Sequence, residues 1–145
     1  MEEKKRTHPT RFFTEPDDML NLFEMYKVHL KQEAKNWPKV QYVGKNGERV
    51  EDYPVLPMTY EGFRVFAKSR LGYIHQYFDN KDGLYSEFVE VCAHIKLEIR
   101  SHQITGGLLG HFHPSITQRL NNLTEKIEAT SVVKTKVSWK NKKNE

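Results

Sequence analysis

His102, His111 and His113 form the densest set of metal-capable side chains in the sequence. A His-x-His pair alone is a weak ligand set, and no acidic residue lies beside it to complete a coordination shell. Surface or interface histidines are the preferred reading; a metal-dependent nuclease, recognisable by loss of activity with chelator, is the distant alternative. Cys92 is the only cysteine, which excludes an internal disulfide and a zinc site built on several thiolates. It falls inside an apolar stripe, so a buried, inert thiol is expected rather than a nucleophile. Asp17 and Asp18 follow Pro16 and read as acids at a helix start, not as a general acid/base couple. Neither Gly106-Gly107 nor Gly110 is followed by the Lys-Ser/Thr pair of a phosphate loop. No catalytic centre, metal or cofactor is expected.

Residues 59–79 carry a different chemistry. Two short helices with a tight break between them have the dimensions of a helix-turn-helix, whose second helix can enter the major groove of DNA. Lys68, Arg70, His75 and Gln76 supply donors suited to phosphates and base edges, and Tyr73 and Tyr77 add stacking or hydroxyl contacts. Any small helical domain can contain such a pair, and the region around it is not basic.

The elements that must position these residues are legible in the spacing. Thr14-Glu15-Pro16-Asp17 reads as a helix start, with the threonine as cap. Met19, Leu22, Phe23, Tyr26 and Leu30 then recur at helical period until Asn36-Trp37-Pro38. Residues 39–53 read as a β-hairpin turning at Gly44-Lys45-Asn46-Gly47 and ended by Pro54 and Pro57. Thr59 caps a helix to about residue 68, with Phe63, Phe66 and Ala67 inward; a third helix covers residues 73–78. Leu84, Phe88, Val91, Cys92, Ile95 and Ile99 mark a long amphipathic helix that ends or bends at Gly106-Gly107. Pro114 opens a last small helix through Leu120.

The chain has 145 residues, enough for one domain with appended ends, and an apolar share of 37% that suggests either polar extensions or burial completed by other subunits. The net charge of +4 is concentrated at the ends: residues 1–14 carry Lys4, Lys5, Arg6 and Arg11 against Glu2 and Glu3. Residues 124–145 carry Lys126, Lys134, Lys136, Lys140, Lys142 and Lys143 against Glu125, Glu128 and Glu145. Basic ends on a near-neutral body favour a polyanionic partner. No apolar run approaches membrane-spanning length and no leader opens the chain, so a soluble intracellular protein without membrane partners is expected.

Taken in order, the landmarks resemble the small terminase subunit, the DNA-packaging protein of tailed phages that fill their heads by the headful mechanism. The resemblance covers about residues 9–123. It rests on Phe12-Phe13-Thr14-Glu15-Pro16 before the first helix and the hairpin Tyr42-Val43-Gly44-Lys45-Asn46-Gly47-Glu48. Met58-Thr59-Tyr60-Glu61-Gly62-Phe63 resembles the family's Thr-x-x-Gly-Leu start, and Gly106-Gly107-Leu108-Leu109 leads to Ile116-Thr117-Gln118-Arg119-Leu120 as in its Ile-x-x-Arg-x-Leu. The glycine usual at the helix-turn-helix break falls on Lys68, and Leu71-Gly72 replaces the Ser/Arg after it. A lysine takes the left-handed conformation only at a cost, so a rearranged break is expected.

The resemblance implies a mainly α fold without catalysis of its own, assembled as a homo-oligomeric ring of roughly eight to twelve copies. Its expected partners are the double-stranded viral genome and the large terminase subunit, whose ATPase and nuclease it would regulate, in the cytoplasm of a bacterial host. On this reading residues 1–13 are a basic arm and 14–123 a helical core. Residues 124–145 are a basic oligomerisation or partner tail, in which Val133, Val137 and Trp139 fall at strand period with no hairpin partner before them. Tails of neighbouring subunits could close into a small barrel, with Lys140, Lys142 and Lys143 as a basic crown. The DNA-contacting set is then Lys68, Arg70, Tyr73, His75 and Gln76 together with Lys134, Lys136, Lys140, Lys142 and Lys143. A dimeric helix-turn-helix transcription regulator is the alternative.

Overall fold

Acidic and proline residues start the first helix, although the cap differs from the one expected. In the computed structural model, which describes residues 11–123, α1 spans Pro16–Glu33 with Glu15 at the cap position. The Asp18 carboxylate accepts the backbone N–H groups of Thr14 and Glu15 at 3.1 and 3.0 Å, the backward-reaching half of a capping box, and the cap position falls on Glu15 rather than Thr14. A 3-10 turn over Ala34–Asn36 follows, and the hairpin strands are β1 (Lys39–Val43) and β2 (Glu48–Asp52). They pair antiparallel, with Val43 opposite Glu48 and Lys39 opposite Asp52. Gly44 and Gly47 take positive φ at the ends of a four-residue connection, where a side chain would be strained.

Every residue of both strands is exposed. The hairpin therefore adds nothing to the core and stands off the helical body. That core is built by α1, α2 (Tyr60–Arg70), α3 (His75–Asp79) and α4 (Val89–Leu108), with α5 (Pro114–Leu120) folded back on α4. Phe23 meets Phe63 edge-on at 5.2 Å between ring centroids, and Tyr26 lies 5.7 Å from Phe66, so aromatic pairs join α1 to α2. Phe13 is 3% exposed and packs on Tyr77 at 5.1 Å, while the Tyr77 hydroxyl accepts the N–H groups of Phe12 and Phe13. The end of the segment read as a basic arm thus belongs to the core.

One departure from the sequence reading concerns the start of α4. Leu84 and Tyr85 lie outside it, because a 3-10 turn over Ser86–Phe88 precedes its first residue, and Leu84 is exposed. At the other end the helix includes Gly106 and Gly107 and ends one residue later, at Leu108, close to where the glycine pair placed its end. A Cβ on Gly106 would collide with the Phe112 ring, and one on Gly107 would fall 2.9 Å from Thr117. The glycines admit the returning chain where the helix ends. Buried polar groups lock the same junction: Gln103 Nε2 donates to the Met58 carbonyl at 2.7 Å, and Asn121 Nδ2 donates to Gln103 Oε1 at 3.0 Å. The fold is mainly helical with one small antiparallel sheet.

Candidate nucleic-acid interface

Thr59 begins α2 as expected, its hydroxyl accepting the Gly62 N–H at 2.9 Å. Gly62 is required there, since a Cβ would run into the Tyr26 hydroxyl. With Phe63, Phe66 and Ala67 turned inward, the fourth-neighbour row Tyr60, Arg64 and Lys68 runs along another side of the helix. The Arg64 guanidinium lies 5.4 Å from the Tyr60 ring centre and Lys68 Nζ lies 4.6 Å from that of Tyr73. From α4, Lys96 reaches the same aromatic group, 5.8 Å from Tyr60 and 5.6 Å from Phe78. The Tyr60 and Phe78 rings meet edge-on at 4.9 Å. Arg64 and Lys96 thus lie by one aromatic pair, Tyr60 and Phe78, while Lys68, one helical turn from Arg64, lies over Tyr73. Glu61 and Asp79 stand close enough to Tyr60 to act on its hydroxyl. Burial is the main reason that its pKa lies above the ordinary value, with Arg64 opposing.

Lys68 and Tyr73 are therefore brought together, but Arg70 is not with them. Its guanidinium sits 4.6 Å from the Phe66 ring centre, on the side of α2 where His29 of α1 also packs. The break between the helices covers Leu71–Ile74, three residues later than the glycine position expected from the family pattern. Lys68 stays helical and the strain passes to Gly72, at φ +153°, where a Cβ would meet the Phe12 ring at 2.5 Å.

The second helix offers little for base readout. It has five residues, about 7.5 Å of helix. Ile74 and Tyr77 are buried, and Gln76 Oε1 already accepts the Tyr85 hydroxyl at 3.2 Å. His75 is half-buried, with its Nδ1 enclosed and unpartnered. Arg64 and Lys96 were missed in the sequence because one stands among inward-facing neighbours and the other lies on a different helix. Only the row spacing Tyr60, Arg64, Lys68 could have signalled the first. Lys134, Lys136, Lys140, Lys142 and Lys143 lie outside the described residues.

Among the described residues, no three His, Cys, Asp or Glu side chains are placed to hold a metal ion. His102 Nε2 lies 3.4 Å from the Leu56 carbonyl and its ring packs on Phe112, whereas His111 and His113 are exposed. Cys92 is buried, with Sγ 3.8 Å from Met19 Sδ, and burial pushes its thiol up to about 11. A cleft of about 490 Å³ lined by Leu30, Val55, Met58 and His102 shares no residue with the basic surface. No described helix is long and apolar enough to cross a membrane. No family model, curated protein or solved structure matches this chain.

Proposed function

We propose that the protein is a small terminase subunit: a ring-forming, non-catalytic protein that binds viral double-stranded DNA and regulates a large packaging subunit. The observation that carries this reading is the far side of α4. Leu97 stands two positions from both Ile95 and Ile99, about 200° around the helix from the core face, and is 64% exposed. Ile104 and Leu108 continue its row, and Leu109, Ile116, Leu120 and Leu123 extend exposed apolar surface toward α5. Single exposed apolar side chains are ordinary, whereas a row of them along α4 and α5 is a surface that repetition around a ring would cover. The cations over Tyr60, Phe78 and Tyr73 suit phosphate contact with weak sequence preference.

Light scattering of the pure 17.1 kDa chain tests the assembly. The expected mass is that of a ring of roughly eight to twelve copies. A monomer at micromolar concentration would remove the basis for the proposal, and a dimer with a palindromic site would fit a helix-turn-helix transcription regulator instead.

A further inference from the structure

We propose that Leu108 of one copy of this chain seats in the cleft between α1, α4 and residues 53–58 of the next copy. The inference rests on the assembly reading above and names the two surfaces that join. Both belong to the same chain and they lie on different sides of it.

Three segments build the cleft: Leu30 and Ala34 of α1, Val55, Leu56 and Met58 of the chain that follows the hairpin, and His102 of α4. Its volume of about 490 Å³ lies in the range of specific, mostly apolar binding sites. It opens to solvent, since Tyr53 and Val55 on its wall are both exposed. Its half-buried charges are already paired. Lys27 Nζ lies 2.5 Å from Glu98 and 2.6 Å from Glu24, and Lys31 on the same wall is exposed. An apolar side chain can therefore enter without stripping water from a lone buried ion.

The chemistry of the occupant is set by what the rest of the chain leaves in water. Leu108 is 84% exposed, more than any other large apolar side chain among the described residues. Around it, residues 101–118 contain no Asp, Glu, Lys or Arg, in a chain that is 29% charged. The desolvated centre of a protein–protein contact is depleted of charge in the same way. Leu108 cannot reach the cleft of its own copy. At about 100° per residue, Leu97, Ile104 and Leu108 centre roughly a third of the helix circumference from Glu98 and His102, which face the cleft. A knob and a cleft on different surfaces make a heterologous contact, which hands each copy on to the next and closes into a ring where the rotation allows. The dimer of a transcription regulator would instead need one patch that meets itself.

Cysteine pairing in the full chain tests the contact. In a Cys92→Ala background, Val55→Cys with Leu108→Cys should give a ladder of disulfide-linked multiples of the 17.1 kDa chain on a non-reducing gel after mild oxidation. Val55→Cys alone and Leu108→Cys alone should stay at the single-chain mass, because a head-to-tail contact never brings like positions together. Val55→Glu and Leu108→Glu should each lower the native mass to that of a monomer by light scattering. Their circular dichroism melts should stay close to wild type, since neither side chain belongs to the core. Linkage between like positions, or a double variant that gives no ladder, would overturn the proposal. A ring-sized native mass without a ladder would do so while leaving the ring reading in place. A ladder from assemblies that do not close would keep the contact and remove the ring.

Discussion

Gly106 poses a direct contest between local preference and packing. Helix propensity alone has Gly106→Ala stabilise the chain by about 1 kcal/mol. The Cβ would collide with the Phe112 ring, and overpacking of that kind costs about 1–3 kcal/mol. Destabilisation is the expected outcome in urea titration, and Phe112→Ala in the Gly106→Ala background should reduce the penalty that the alanine adds. Cys92 makes a second, pH-dependent case. The folded chain holds the thiol proton more tightly than the unfolded chain, so the stabilisation is complete below the ordinary value of 9.0 and is lost as pH rises toward about 11. Denaturant titrations of wild type and Cys92→Ala should therefore converge, or invert, between about pH 8 and about pH 11. At neutral pH a thiol reagent should label native Cys92 only as fast as the protein opens.

Elements depend on contacts that local sequence does not display. Gln103→Ala would strip the Met58 carbonyl of its partner and leave the Asn121 side chain with only Thr117. A loss of about 1–3 kcal/mol is expected, measured as a lowered urea midpoint. The hairpin, the Thr59 cap and the Pro114 helix were legible because turn glycines, caps and prolines act within a few residues. The start of α4 was not: Leu84 has the right spacing, but Tyr85 turns in to stack on Tyr77, and its N–H is taken by Asn80 Oδ1, which holds that turn off the helix axis. The glycine pair marked the end of α4, but its packing partners, Phe112 and Thr117, are known only after the chain returns. The basic surface was half legible for the same cause, since Lys96 joins Tyr60 only when α4 packs on α2. Arg64→Gln, Lys68→Gln and Lys96→Gln together should weaken binding to duplex DNA. The salt dependence should flatten by about 0.9 in log–log slope for each phosphate that the variant no longer neutralises. Fluorescence anisotropy across a salt series would check it. Unchanged affinity and slope would move the DNA-binding surface to the chain ends.

For the whole molecule, the exposed row on α4 yields a separable prediction. Leu97→Glu with Leu108→Glu should reduce the assembly to monomers by light scattering while the circular dichroism melt stays close to wild type, because neither side chain belongs to the core. If an oligomeric wild type keeps its mass in this variant, another surface joins the copies. A last consequence follows from where the core partners lie along the chain. Phe13 closes on Tyr77 and Phe88, Met19 on Cys92, and Lys27 on Glu98, pairs of residues more than sixty positions apart. During synthesis the apolar side of α1 emerges long before α4 exists. At ribosomal speeds of about 5–20 residues per second, that side waits roughly 4–15 s for its main partner. In the meantime α2 arrives first, through Phe63 and Phe66, and α3 follows with Tyr77, which meets Phe13. The hairpin between them is exposed along both strands and joins neither helix, so during that interval it only spaces the aromatic side of α1 from that of α2 along the chain.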